Sequence, residues 1–236
     1  MTVNIIQASA LSQTAAQDRQ ALRQAWETIQ PDSCPYSYNF HLHTTCSDGR
    51  LMPEDLIEQA MNIGLKGLAI TDHHSVRGYR RAQSLLEQRQ QHLSPSTPVP
   101  HLWTGVEITS DLAGTEVHIL GYAFDPQHPS LEPYLQGKTL PSREAQASDV
   151  IESIHQAGGL AVLAHPARYR RSAEELVPIA AHLGIDGVET YYAYTNPNPW
   201  TPSVNQTQRV KELSDHYNLL NTCGTDTHGS TILMRL

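Results

Sequence analysis

The sequence predicts a single α/β domain, either a barrel or a doubly wound sheet, and three observations carry that expectation. A chain of 236 residues is long enough to bury one substantial core. From Tyr38 onward short apolar runs alternate with amphipathic stretches, about seven runs in all, most of them separated by enough chain for a helical crossover. Histidines and acids cluster where those runs end, and in folds of this class the loops after the strands gather around one mouth.

Residues 8–29, ASALSQTAAQDRQALRQAWETI, read as a polar helix with apolar points at Leu22, Trp26 and Ile29, closed by Pro31. It is expected as part of an N-terminal helical extension, residues 1–37, lying on a domain of residues 38–236. YNFHLH is then a strand, PEDLIEQAMNIG a helix with Pro53 at its start and Gly64 past its end, and GLAIT the next strand. A helix from Val76 to Gln90 and a Pro-rich loop from Ser94 to Pro100 lead into a strand HLWTGVEI, followed by a strand EVHILGY. Arg143 to Gln156 is a helix stopped by Gly158 and Gly159, and LAVLA a buried strand. SAEELVPIAAHLG is a helix despite Pro178, GIDGVET a strand, Val204 to Tyr217 a helix and NLLNTCG the last strand. The sequence has no repeat of fixed period and no low-complexity segment.

With 24 acidic against 16 basic residues the formal net charge is -8, which argues against a broad surface for long nucleic acid. Small phosphorylated substrates stay compatible, because bound divalent cations reverse the local sign inside a pocket. Cys34, Cys46 and Cys223 form no disulfide framework and suit a reducing compartment. The N-terminus lacks a basic segment followed by an apolar run, and no window approaches a membrane span, so a soluble, cytoplasmic protein with no membrane partner is expected.

In NFHLHTTCSDG, His41 and His43 are two apart and share one face of a strand, with Asp48 five residues on. His73 follows GLAIT, Glu107 lies near the end of HLWTGVEI, His118 sits within EVHILGY, His165 follows LAVLA, and Asp226 and His228 follow NLLNTCG. A lone histidine at a strand end is more often a hydrogen-bonded loop residue than a ligand. Jointly that reading fails, since it places polar clusters after several separate strands without a shared purpose. His155 and His182, in helices, and His92, His101, His128 and His216, in or near loops, have no partner at ligand spacing. Neutral imidazoles with carboxylates and few thiols suit Zn, Mn or Fe at a catalytic site. Nine candidate ligands exceed what one ion with an open position can use, so two to three divalent ions are implied.

HLHTTCSDG, AITDHHS, GVEIT, VHILGY, AVLAHPARY and GTDTHG resemble, in order and spacing, the motifs of the polymerase and histidinol phosphatase (PHP) family, from about Phe40 to Gly229. The resemblance implies a distorted seven-stranded (β/α) barrel that binds up to three metals and hydrolyses phosphate esters. It assigns His41, His43, Glu107 and Asp226 to one ion, has Glu107 bridge to a second held by His118 and His165, and gives Asp48, His73 and His228 the third. Two departures stand out. His74 occupies the position after the second-motif histidine where the family commonly has an acid, and residues 119–164 leave little room for the helical insertion of its nucleotide phosphatases.

The activity expected is metal-dependent hydrolysis of small phosphate monoesters or diesters, such as nucleoside monophosphates and short oligonucleotides, by attack of a metal-bridging hydroxide. The alternatives are a histidinol-phosphate-type phosphatase, a metal-dependent C–N hydrolase and a non-catalytic metal-binding module. Arg168 is expected to contact phosphate, a surface salt bridge within ARYRR being the other reading. His74 is grouped with the substrate-binding residues, with a place behind the ligands or in solvent as alternatives. Tyr191, with Tyr192 and Tyr194, can stack on a base or sugar or simply pack at the rim, Glu189 ends a strand near the pocket, and Cys46 reads as a small buried filler.

Overall fold

The computed structural model describes residues 15–92, 94 and 98–236. Residues 8–14 of the expected first helix lie outside them; within them a 3-10 turn over Ala15–Gln17 precedes α1, Arg19–Glu27. The Asp18 carboxylate starts α1 by accepting from the Gln20 and Ala21 amides. The other elements are β1 (Tyr38–Asn39), α2 (Pro53–Ile63), β2 (Gly67–Ala69), α3 (Arg77–Gln90), β3 (His101–Trp103), β4 (Gly105–Leu112) and β5 (Thr115–Tyr122), followed by α4 (Ala147–Gln156), β6 (Leu160–Leu163), α5 (Ala173–His182), β7 (Gly187–Tyr191), α6 (Val204–His216) and β8 (Leu220–Cys223). Pro53 fills the first turn of α2, and Gly64, at φ 81°, supplies the left-handed residue that ends it.

The fold is mixed α/β, with eight strands among the described residues rather than seven, in sheets of order β1-β2-β3 and β4-β5-β6-β7-β8. The expected strand HLWTGVEI breaks at Thr104. Its amide donates to Ala16, its hydroxyl to Phe124 and its carbonyl accepts from Ala123, so the chain leaves one sheet and enters the other there. β4, β5 and β6 pair antiparallel, so this stretch lacks the expected crossovers. Only Tyr38 and Asn39 of YNFHLH join a ladder. Phe40 to His43 are instead held by single bonds, from the Phe40 amide to Cys223 and the His43 amide to Thr227. Isolated bridges join Leu42 to Thr227 and His73 to Glu107 across the two sheets, and no continuous ladder closes them among the described residues.

Period-2 alternation decides which side chains meet. Val106 and Ile108 of β4, Val117 and Ile119 of β5, and Ala161 and Leu163 of β6 face the helices α4 and α5. Leu120, Tyr122, Leu160 and Val162 face the opposite way, into an interior that also holds Phe40 and Trp103. Glu107, paired with Leu120, and His118, two residues before Leu120, stand on that same interior face. α1 does more than lie on the domain: Leu22 and Trp26 enter this interior, with the Trp26 ring edge-on to Tyr122 at 5.3 Å and to Phe40 at 5.9 Å. A third cluster packs α2 and α3 on the smaller sheet through Leu56, Ile57, Ala82 and Leu68. Among the described residues no helix is long and apolar enough to cross a membrane.

Candidate metal centre

At the end of the interior opposite α1, four side chains converge from three stretches of chain. His41 Nε2 lies 3.1 Å from His43 Nε2, 3.1 Å from Glu107 Oε2 and 3.5 Å from Asp226 Oδ1. His43 Nε2 lies 3.0 Å from the same Glu107 oxygen and 3.3 Å from Asp226 Oδ1. Four donors around one ion at about 2.1 Å stand about 3.4 Å apart along each tetrahedral edge, close to these separations. The other oxygen of Glu107 turns away, with His118 Nδ1 at 2.6 Å and His165 Nε2 at 3.5 Å. A third group lies further out. Asp48 Oδ2 is 3.2 Å from His228 Nε2 and 3.7 Å from His73 Nε2, and Asp48 Oδ1 is 3.5 Å from His43 Nδ1. Asp48 is 54% exposed and forms the outer edge of the cluster.

The structure thus brings together all nine sequence-identified ligand candidates. The groups able to hold an ion are His41, His43, Glu107 and Asp226; His43, Asp48, His73 and His228; His73, Glu107 and His118; and His41, His165 and Glu189. The last contains a residue that the sequence marked only as near the pocket. Glu189 is fully buried, accepts from His41 Nδ1 at 3.0 Å and takes the His165 amide at 2.9 Å. A carboxylate accepting at Nδ1 puts the proton there and aims the Nε2 lone pair of His41 into the cluster. His228 is fixed likewise, its Nδ1 donating to the Asp226 carbonyl at 2.8 Å.

Local backbone makes this convergence possible. His165 and Asp226 adopt positive φ, 28° and 54°, turning their side chains inward as the strands end. The Asp226 amide donates to the His41 carbonyl at 2.9 Å. Gly224 lies against His41, where a first side-chain carbon would come 2.2 Å from His41 Cβ. Asp72 is spent on the loop that carries Asp48, accepting from the Thr44 amide at 2.7 Å, the Thr44 hydroxyl at 2.8 Å and the Ser47 hydroxyl at 2.7 Å.

Protein charge alone satisfies this cluster poorly. Burial pushes His41 and His43 down, yet Glu189, Glu107 and Asp226 hold His41 well above its ordinary value, and Asp226 and Glu107 raise His43 to about 9. Burial opposes ionisation of Glu107 and Asp226, and the imidazoles around them still hold both carboxyls well below their usual range. His73 drops to about 4, chiefly through burial. Nδ1 of His43 and of His165 are buried with no hydrogen-bond partner. A divalent cation supplies the charge that protons otherwise provide, and the nitrogen and oxygen donor set fits one.

A cavity of about 320 Å³ opens onto the cluster, lined by Asp48, His73, Glu107, His118, His165, Asp226, His228, Arg168, Tyr169 and Arg235. Arg168 and Arg235 are its two cations. Asp226 Oδ2 accepts from Arg168 Nη1 at 3.1 Å, Arg235 Nε at 2.8 Å and the Tyr192 hydroxyl at 2.7 Å, which leaves Oδ1 for the imidazoles. Three side chains lie elsewhere than expected. Tyr191 points away from the cluster and packs with Cys34 and Trp200, because a register shift after Glu189 leaves Tyr192, not Tyr191, facing the site. His74 lies outside that lining and borders the depression beside it, its Nδ1 at 3.3 Å from the Tyr134 carbonyl and its Nε2 accepting from the Thr109 amide at 3.3 Å. Cys46 is partly exposed rather than buried. Sequence reasoning missed Arg235, which follows Asp226 by nine residues in a stretch with no apolar period.

A model of the PHP domain matches residues 39–198. The 5'-3' exoribonuclease Rnm of Salmonella typhimurium is 26% identical over 262 aligned positions, covering 81% of this chain and 85% of that protein. The phosphoribosyl 1,2-cyclic phosphate 1,2-diphosphodiesterase of Eggerthella lenta is 24% identical over 264 positions, covering 81% and 94%. A solved structure from Bifidobacterium adolescentis, assigned as a metal-dependent phosphoesterase, superposes with a TM-score of 0.67 at 22% identity, covering 85% of this chain and 90% of that one, a likeness of fold.

Proposed function

Because the chain belongs to the PHP domain family and is a phosphoesterase of the hydrolase class, we propose that it cleaves terminal phosphates of small substrates, nucleoside monophosphates and short oligonucleotides, with two to three divalent ions, Mn, Zn or Fe. The observation that carries this reading is the position of Glu107, whose two oxygens face different groups of imidazoles, an arrangement that would suit a carboxylate shared between two ions. In this reading His41, His43, Glu107 and Asp226 would hold one ion, Glu107, His118 and His165 a second, and Asp48, His73 and His228 a third. When bound, such ions lower the pKa of a water toward neutrality and neutralise charge on phosphate oxygens.

The chain's own residues do the rest. Glu189 keeps the proton on His41 Nδ1, and Tyr192, Arg168 and Arg235 hold one oxygen of Asp226 so that the other stays aimed at the cluster. Arg168 uses one nitrogen for these contacts, and its remaining N–H groups can meet phosphate oxygens in the cavity. Residues 38–236 form the catalytic domain in this account, with residues 1–37 as an extension. The two sheets act as the staves of a distorted seven-stranded barrel, β3 and β4 counting as one interrupted stave. The two single bridges between the sheets support this.

The names of the two relatives describe phosphodiester chemistry, and carbon–nitrogen hydrolysis gains no support from them. The test is Mn-reconstituted protein assayed on nucleoside monophosphates and on 5'-phosphorylated oligonucleotides of increasing length. With a net charge of -8 there is no basic track for a long backbone, so kcat/KM is expected to fall with length. A steady rise with length and strong salt dependence would point to a processive nuclease instead.

A further inference from the structure

The antiparallel ladder between β5 and β6 stops one pair short of the metal cluster, and a side chain stands in the gap. The ladder runs from Tyr122 opposite Leu160 to Ile119 opposite Leu163, and the same register sets His118 opposite Ala164. Where opposite residues of an antiparallel ladder make one backbone bond, the geometry calls for its reciprocal. Here only one is made, from the Ala164 amide to the His118 carbonyl at 3.1 Å. In place of the other, the Tyr169 hydroxyl accepts from the His118 amide at 2.8 Å and donates to the Ala164 carbonyl at 3.1 Å. Resting on the ligand grouping proposed above, we propose that Tyr169 is a positioning residue, whose hydroxyl, wedged between the two strands, sets the spacing of His118 and His165 for the ion they share with Glu107.

This one side chain reaches both imidazole ligands of that ion. His118 gives its amide to the hydroxyl, and His165 directly follows Ala164. The Tyr169 ring also lies 5.4 Å from the His165 ring. The two imidazoles stand edge to face at 5.5 Å, and both turn toward Glu107 Oε1, which is 2.6 Å from His118 Nδ1 and 3.5 Å from His165 Nε2. Without the hydroxyl the open pair can close, which draws Ala164 toward β5 and carries His165 with it.

The way the imidazoles are held explains why a wedge matters here. His41 and His228 are fixed by hydrogen bonds at Nδ1, to Glu189 and to the Asp226 carbonyl. His165 has no such bond. Its Nδ1 is buried without a partner, and its ring leans on Tyr169 and on Tyr192, 5.3 Å away. An imidazole with no hydrogen bond behind it takes its aim from packing and from its backbone. The turn that returns Tyr169 to the ladder is itself braced, since the Arg168 amide donates to the His165 carbonyl at 2.9 Å and the Ala167 amide to the Tyr194 hydroxyl at 3.2 Å.

The experiment titrates chelated full-length protein with Mn, the free ion being read by electron paramagnetic resonance, in wild type, Tyr169→Phe and Tyr134→Phe. The first variant removes the wedge hydroxyl alone. The second removes a hydroxyl that meets Ser153 in the same apolar core, and so reports a purely structural loss. In Tyr169→Phe one Mn site should weaken by about 10–100-fold while the others keep their affinity, and in Tyr134→Phe every site should keep it. Unchanged affinity at every site of Tyr169→Phe, or an equal loss at all of them, overturns the proposal. If wild type itself binds no more than one ion, the ligand grouping fails, and the crystal structure of metal-free Tyr169→Phe then decides the wedge. A His118 amide bonded directly to the Ala164 carbonyl, with the His165 ring displaced, supports it; a pair that stays open with both rings in place overturns it.

Discussion

The two ends of the sheet interior are built from neighbouring residues to opposite purposes. At one end Phe40, Tyr122 and Trp26 meet as edge-to-face rings, and α1 closes the space with apolar surface. At the other end, one residue on from Phe40, His41 begins a cluster of imidazoles and carboxylates in which two nitrogens stand 3.1 Å apart. The apolar end is stable through its own contacts. The polar end pays for burial with shifted protonation and needs a cation from solution to complete it. One strand alternation thus serves both stability and chemistry, and the two can be perturbed separately.

The largest effect expected is at the apolar end. Trp26→Ala should cost about 3–5 kcal/mol of stability by leaving a cavity between Phe40 and Tyr122, measured by urea denaturation, while the folded fraction keeps its metal content. Loss of metal from correctly folded Trp26→Ala protein would show that the two ends are not independent. Glu107→Ala tests the other end: kcat/KM should fall by more than about a hundredfold and elemental analysis should show fewer ions per chain, with the far-ultraviolet spectrum unchanged.

Chelation gives a smaller, pH-dependent effect. His43 is raised from 6.5 to about 9 in the metal-free protein, so its proton adds stability that is fully present below 6.5 and lost as pH rises through about 9. The melting temperature of chelated protein should therefore fall over that window. Metal requires deprotonated imidazole, so Mn-loaded protein should be flat or rise there, and the gap between the two should widen toward alkaline pH. A gap that narrows instead would remove His43 from the ligand set. The smallest effect is expected at His155→Ala, which belongs to none of the candidate ligand groups. His155 pairs with Asp186 at 2.7 Å on the surface, so stability should change by less than about 1 kcal/mol and metal content not at all.

Much of this contrast was legible before the structure. The nine ligand candidates fall at strand ends, and strand-end convergence is a property of the fold class, so their meeting follows from the sequence. Three things did not follow. Thr104 sits in the middle of what reads as one strand, and only its hydrogen bonds to Ala16, Ala123 and Phe124 reveal the change of sheet. The register shift after Glu189 exchanges the faces of Tyr191 and Tyr192, and no local residue signals it. Arg235 reaches Asp226 through a turn without periodicity, which pattern reading cannot see.

Gly224 also limits how this site could drift over evolutionary time. With 2.2 Å between His41 Cβ and the carbon that any other residue would bring, neither position can change without moving the first imidazole of the cluster. Positions on the exposed faces of the helices carry no such constraint. A lineage has no gradual route through position 224, where the first step already displaces a ligand, so a descendant with a side chain there would have had to rebuild the centre around it.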